Sequence, residues 1–392
     1  MWGGEQRRYA ALKFFVYTLA GSVLMLAMLI MLWNRTPAGG RTVAVQAIEI
    51  QAHSHDGGAT LHGLPVERFS DGSVSVTVPR GFDLRHLQLQ WRTWEGERVL
   101  GMSLAAFGFL AVLLAALVKV PAVPLHTWLP HAHVQAPTAI SVLLAGILLK
   151  LGVYALYRLA WPLFPAQALH WGWLIGVIGV IGILWGAWVA LGQRDLKRLV
   201  AYSSVSHMGF CLLGLAGLTA AGATGGMVQA VTHGLGSSLL FLLVGVIYDR
   251  AHHRNVDGFG GLATPMPRYA WILLIAALAG AGLPGLAGFV GEAMALFGSF
   301  TAGGPFPWLG ALAALSVILS AAYMLWTVKR VAYGPLAHPE HAAYTDLDAR
   351  ELAATVPLVV LIIVVGVWPA PLVDALRPAC ENLVAHVRSA LP

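Results

Sequence analysis

Apolar runs long enough to cross a bilayer alternate with short polar stretches along almost the whole chain. An α-helix rises about 1.5 Å per residue, so roughly 20 apolar residues span the ~30 Å hydrocarbon core. Read this way, the pattern predicts nine spans, at 9–33, 99–130, 137–160, 169–192, 196–218, 224–249, 268–300, 307–333 and 353–371. All are expected as helices, because an open strand cannot satisfy its backbone in lipid. The first run is longer than a signal-peptide core, lacks a small-residue cleavage site and is followed by further spans, so it is read as a retained helix. One connection breaks the rhythm. Residues 34–98 alternate apolar and polar positions in SVSVTV and LQLQW around GGA and PRG turns, which predicts a small extramembrane hairpin.

Composition agrees with this picture: 58% of residues are hydrophobic and only 11% charged, which excludes an ordinary soluble domain. The net charge of +6 does not point to nucleic acid, since the basic residues are scattered between apolar runs. They fall on alternate sides instead. One set of connections holds Arg7, Arg8, Arg194, Lys197, Arg198, Arg250, Arg254, Arg268, Lys329, Arg330 and Arg350, while the short connections of the opposite set, the long 34–98 one aside, hold little beyond Arg158 and Arg377. By the positive-inside rule the N-terminus is cytoplasmic and the C-terminus periplasmic or external. Cys211 and Cys380 have neither metal-ligand spacing nor a disulfide pattern, so redox chemistry on this chain is not expected. His53, His55 and His62 are read as solvated loop residues.

Candidate chemistry lies in the ionisable residues that interrupt the apolar runs. A charge inside hydrocarbon costs several kcal/mol unless it faces other polar groups, so each such residue asks for a reason. Lys119 stands just before Pro121 and Pro124, where proline removes a backbone bond and breaks the helix. Broken helices are tolerated where they are buried in protein or line a hydrated cavity, so lysine plus break points to a polar pathway. The plainer alternative ends the span at Lys119 and lets its ammonium reach the headgroups. Lys150 leaves less choice, since it falls midway along 137–160. Burial penalises the charged form of any group, which is what lets a lysine or carboxylate exchange protons near neutral pH.

Ser203 with His207, and Gln229, His233 and Ser237, recur at i, i+4 spacing and predict polar stripes on two successive helices. A stripe can serve as helix–helix glue, but two in succession favour a hydrated axis. Glu292 follows Pro284 and its flanking glycines, repeating the design of break plus single charge. Such a repetition is what a two-fold internal repeat leaves in a sequence.

The stretches VKVPAVPLHTWLPHAHVQAPTA, LAGILLKLGVY, DLKRLVAYSSVSHMGF, THGLGSSLLF and GLPGLAGFVGE, in this order, closely resemble the antiporter-like proton-channel subunits of respiratory complex I. The likeness covers nearly all of the chain outside 34–98. It implies an all-α polytopic helix bundle with two proline-broken helices and inverted repeats. Residues 1–33 are then a first transmembrane helix, 34–98 the extramembrane loop, 99–160 the remainder of the first repeat, 169–333 the second repeat, and 353–392 a final helix and tail. The resemblance assigns a proton relay to Lys119, Lys150, His207, His233 and Glu292, with helix breaks at Pro121, Pro124 and Pro284.

It further implies membrane partner subunits in a bacterial inner-membrane assembly, with NADH, flavin, iron–sulfur clusters and quinone held by those partners and no cofactor or metal on this chain. Related subunits serve multi-subunit cation/proton antiporters and membrane-bound hydrogenases, and a non-conducting structural role is a third reading. In the family, MWGGEQRRYAALKFF lies just after a fifth helix, so the family's first five spans, with the glutamate that pairs the first lysine, have no counterpart here. An upstream start, a subunit split between two genes and a genuine truncation are the three explanations, and under the first two the glutamate is supplied by upstream sequence or a separate chain. Smaller departures are His131 for the family's usual Asp and Ile140 for its frequent Gly.

Overall fold

The computed structural model describes residues 3–45, 60–69, 74–336 and 338–391. In chain order the elements are α1 (Arg7–Arg35), β1 (Arg41–Ala44), β2 (Thr60–Leu61), β3 (Leu64–Arg68), β4 (Val74–Val78), α2 (Leu84–Leu89), α3 (Trp91–Gly96), β5 (Arg98–Val99), β6 (Met102–Ser103), α4 (Leu104–Lys119) and α5 (Trp128–Gln135). There follow α6 (Thr138–Leu163), α7 (Pro165–Leu191), α8 (Leu196–Ala216), α9 (Ala220–Ala251), α10 (Pro267–Gly280), α11 (Ala287–Thr301), α12 (Phe306–Ala332), α13 (Ala349–Val367) and α14 (Ala370–Arg388).

Seven of these helices, α1, α6, α7, α8, α9, α12 and α13, are long and apolar enough to cross a membrane unaided. The two remaining predicted spans are the broken ones. The run 99–130 divides into α4 and α5 around Pro121 and Pro124, and the indole of Trp128 donates to the carbonyl of Val118 (2.9 Å), stitching the two pieces together. The run 268–300 divides into α10 and α11 around Pro284, where Gly282 and Gly285 take positive φ values of 73° and 90° that a side chain would resist. The segment read as a C-terminal tail is instead a helix, α14. Val373, Cys380, Val384 and Val387 share one buried face of it, while Asp374, Arg377 and Glu381 stand on the exposed face.

The chain forms two compact units. The larger contains Met1–Thr18, Leu117–Val153 and Gly172–Val384. Within it α8 and α9 are buried on most sides, with α11 laid against them. Small residues allow this closeness, as expected between helices that lipid does not drive together. A Cβ added to Gly291 of α11 would lie 2.6 Å from the backbone nitrogen of Gln229 on α9.

One end of this unit is tied by charge. The Arg250 guanidinium donates two bonds to the Glu351 carboxylate (2.9 and 2.8 Å), and Glu351 with Asp348 closes a capping box at the start of α13. Arg254 donates to Asp195 (3.2 Å) and to the carbonyl of Val134 (2.9 Å). Of the eleven basic residues assigned to one set of connections, only Arg194 and Arg254 lie outside helices; the others occupy helix ends, and Lys197 departs furthest from a loop charge. Lys197 sits in the first turn of α8, is 3% exposed, and donates to the carbonyl of Ala136 (2.8 Å). Arg158 and Arg377 likewise lie within helices, not connections, though both remain exposed.

At the same end His341 is buried among rings, with Tyr344, His338 and Phe259 centred 4.9, 5.1 and 6.1 Å away. Burial, then the neighbouring His338, hold it below the ordinary 6.5, against an opposing pull from Glu340. The folded state therefore keeps this imidazole neutral while the unfolded chain takes up a proton, so stability falls as pH drops below 6.5. Protease resistance of the 338–348 connection is expected to decline between about pH 7.5 and 5.5. His341→Phe should flatten much of that decline, and an identical pH profile in both proteins would clear His341 as its cause.

The second unit comprises Leu19–Ala116, Tyr154–Trp171 and Ala385–Pro392. The expected hairpin is larger than predicted: an antiparallel four-stranded sheet in the order β1-β4-β3-β2, with Val43 and Val66 both opposite Val76. Alternation places Val43, Val76 and Val78 on one buried face with Leu61. SVSVTV supplies β4 as expected, but LQLQW does not form a strand. Asp83 accepts from the Arg85 backbone nitrogen and starts α2, and Leu87, Trp91 and Trp94 bury at i, i+4, i+7 across α2 and α3. Helical spacing of the large residues outweighed the two-residue alternation of the small window. Of the three loop histidines, His53 and His55 fall outside the described residues, and the carbonyl of His62 accepts from the His86 ring (3.3 Å).

Candidate functional site

The site begins at an irregularity in α6. Residues Leu144–Leu148 form a π-turn, which widens the helix and displaces its carbonyls from regular pairing. The Lys150 ammonium, one turn further on, donates to the freed carbonyl of Ala145 and to His233 Nδ1 (2.7 Å) on α9. Close approach makes this reach possible. A Cβ on Gly234 would stand 3.0 Å from the carbonyl oxygen of Gly146 and 3.5 Å from Lys150 Cε.

From His233 the polar row continues across two more helices. Its ring centroid is 5.6 Å from that of His207 on α8, tilted by 39°. His207 Nδ1 donates to Glu292 Oε1 on α11 (2.8 Å), and the Gln229 amide donates to the same oxygen (3.3 Å). His207, His233 and Glu292 are 7%, 6% and 5% exposed, so the row is sheltered from both solvent and lipid. Gly282, in the break before α11, leaves room for the other carboxylate oxygen: a Cβ there would lie 2.7 Å from Glu292 Oε2. The break thus shapes the pocket around the carboxylate.

The charge states of the neighbours set the tautomers. With Lys150 protonated, His233 Nδ1 accepts from it and a neutral His233 carries its proton on Nε2; with Glu292 ionised, a neutral His207 carries its proton on Nδ1 and its Nε2 is free to accept. Both Nε2 atoms are buried without a hydrogen-bond partner among the described residues. Both rings border a cavity of about 20 Å³ that Ser203, Gln229, Ser237 and Glu292 also line. That volume suits one water molecule with polar partners.

Four of the five residues singled out from sequence therefore meet: Lys150, His233, His207 and Glu292. Lys119 does not join them. It closes α4, half-buried, with no hydrogen bond or ion pair among the described residues. The serines of the two stripes turn back to their own helices, Ser203 to the carbonyl of Val200 and Ser237 to that of His233, so Gln229 and the histidines make the crossings. His131, the departure from Asp, bonds the carbonyl of Thr127 (2.8 Å) and meets Tyr9 edge-on. Among the buried polar groups that the sequence did not mark as site candidates are His126, His133 and the Tyr323 hydroxyl, and Lys197 was read only as a connection charge. The two histidines were the most findable, being within a proline-broken apolar run.

Residues 81–329 match the family described as NADH:quinone oxidoreductase/Mrp antiporter, transmembrane. The chain belongs to this family. It is 38% identical over 391 residues to NADH-quinone oxidoreductase subunit M of Rhodobacter capsulatus, covering 100% of this chain and 68% of that protein. Among solved structures it is similar to a chain of respiratory complex I from Thermus thermophilus, with a TM-score of 0.79, 31% identity, and coverage of 98% of this chain and 70% of that one. A likeness to the Mrp complex of Dietzia sp., with a TM-score of 0.73 at 20% identity over 97% of this chain and 70% of that one, shows the shared fold.

Proposed function

We propose that this chain is a proton-translocating membrane subunit of a complex I-type NADH:quinone oxidoreductase, moving protons along Lys150, His233, His207 and Glu292 while electrons pass on partner subunits. The observation that carries the reading is the row from the ammonium to the carboxylate: Lys150 bonded to buried His233, buried His207 bonded to buried Glu292, and the two rings bordering one small cavity. A proton leaves Lys150 Nζ for His233 Nδ1, and the proton on His233 Nε2 departs toward His207 Nε2 through the cavity. His207 Nδ1 then releases its proton to Glu292, and the row resets when the glutamate discharges and the lysine reloads. Each imidazole thus takes a proton on one nitrogen and gives one from the other, which is the property that suits histidine to a relay. Lys119 is assigned a further station beside the first break, on the family resemblance.

The arginines at 194, 198, 250, 254 and 330 mark the cytoplasmic face of a bacterial inner membrane by the positive-inside rule, with the N-terminus on that side. NADH, flavin, iron–sulfur clusters and quinone belong to partner subunits in this reading.

The test is native electrophoresis of solubilised membranes with in-gel NADH-dehydrogenase staining. The chain is expected to migrate with that activity in an assembly far larger than its own 41.6 kDa. A large assembly devoid of NADH oxidation would favour an antiporter-type complex, and a monodisperse monomer would overturn both.

A further inference from the structure

The relay described above starts at Lys150 and leaves open how that lysine is reloaded. At the end of the larger unit that carries the arginines, a polar vestibule of about 930 Å³ opens between the start of the chain, the α5–α6 connection, the start of α8 and the end of α9. Gln193, Arg194, Asp195, Lys197, Asp249 and Arg254 are among its walls. Of the three arginines that line it, Arg194, Arg198 and Arg254, two are neutralised by carboxylates: Arg254 is paired with Asp195 (3.2 Å) and Arg194 with Asp257 (3.6 Å).

Lys197 is the odd member of this wall. It is 3% exposed and carries no carboxylate partner among the described residues; its one hydrogen bond is to the carbonyl of Ala136, at the end of α5. Three residues back along the same short helix is His133, fully buried, with both ring nitrogens unpartnered among the described residues. Its ring stacks on Phe241 (4.4 Å between centroids, 9° between planes), two helical turns along α9 from His233. His133 also lies within electrostatic range of both Lys197 and Lys150. A buried imidazole with two open nitrogens, influenced by two amines, has the chemistry of a bridge, and hydrophobic packing alone would not select it over phenylalanine.

We propose that Lys197 is the loading residue of the relay, taking protons from the vestibule and passing them through His133 to Lys150. This rests on the proton-translocating reading. In the first step a vestibule water loses a proton to the neutral Lys197 amine, forming an N–H bond and leaving hydroxide for bulk solvent to neutralise. In the second, that proton moves to one His133 nitrogen and the amine returns to neutral. In the third, the ring's other nitrogen gives up a proton to the neutral Lys150 amine. No electrons move, and each transfer runs directly or through a water molecule.

A purely structural lysine, capping the end of α5 through the Ala136 carbonyl, would be served as well by arginine, which keeps the charge and the donor but does not deprotonate. The experiment therefore compares Lys197→Arg, Lys197→His, His133→Phe and Glu292→Gln in the whole complex reconstituted in vesicles. Assembly is read on native gels and protons moved per NADH oxidised with a pH dye. Lys197→Arg and His133→Phe are expected to assemble normally and to pump several-fold less. Lys197→His, which titrates nearer neutrality, should restore pumping with a pH profile displaced to lower pH. Wild-type stoichiometry in Lys197→Arg or in His133→Phe overturns the loading route. If those two pump normally while Glu292→Gln does not, only this route falls; if Glu292→Gln also pumps normally, the translocating reading falls with it. Should the lysine variants fail to assemble, His133→Phe, which preserves the stack on Phe241, decides alone.

Discussion

Glu292→Gln is expected to lower proton translocation through this subunit by on the order of 10²-fold while leaving assembly intact, and Lys150→Ala to do the same from the other end of the row. Both side chains are terminal groups of a relay in which each member must change its protonation state. Glutamine keeps the shape of Glu292 and can still accept from His207 and the Gln229 amide, so the local bonds to Oε1 survive. It cannot take up the proton. Alanine at 150 removes the group that contacts His233 Nδ1, and the membrane interior accepts the neutral replacement more readily than the charge. Vesicles containing either mutant complex should oxidise NADH yet build a reduced proton gradient, with fewer protons moved per electron pair. Unchanged stoichiometry in both would remove these residues from the path.

Gly291→Val should disrupt the packing of α11 on α9 beside the site. The first atom of the new side chain would arrive 2.6 Å from the Gln229 backbone nitrogen, against main chain that cannot rotate aside. Overpacking of this kind costs about 1–3 kcal/mol even where neighbours are side chains. Here α9 and α11 must separate, which moves Glu292 and Gln229 apart together. The amount of assembled complex is expected to fall several-fold, and whatever assembles should pump poorly. Gly236→Ala in α9 is the matched control: its Cβ meets nothing within 4 Å, so assembly should be unchanged. Equal assembly of Gly291→Val and wild type would show that the two helices do not need this contact.

Much of the architecture is legible in the order of residues alone. Among the described residues seven of the nine apolar runs are helices long and apolar enough to cross a membrane, and the other two are helices broken at proline, because length and apolarity alone decide what a bilayer admits. Both breaks fall where Pro121, Pro124 and Pro284 stand, since proline removes the same backbone bond in any context. That Lys150, His207, His233 and Glu292 deserved attention was also plain, as ionisable groups in apolar runs are costly wherever they point. LQLQW misled because a five-residue alternation fits a strand, while the helical spacing of Leu87, Trp91 and Trp94 becomes visible only over a longer window. The C-terminal helix α14 escaped for a related reason: its one-sided apolarity is weak in total and strong only in phase.

What only the tertiary structure decided is who touches whom. Periodicity places His207, His233 and Glu292 on faces of separate helices, but whether those faces meet depends on crossings set by Gly146 against Gly234 and Gly291 against Gln229. The π-turn that lets Lys150 reach both Ala145 and His233 has no composition of its own in LAGIL. Lys197 looked like a connection charge from its DLKR neighbours and proved buried, and Lys119, marked in the sequence by its proline break, stands apart from the row. The physical reason is the same in each case. The bilayer sorts residues by polarity one helix at a time, which the order of residues records directly, whereas the distance between two buried side chains is a property of helix packing that small residues far apart in the chain determine jointly.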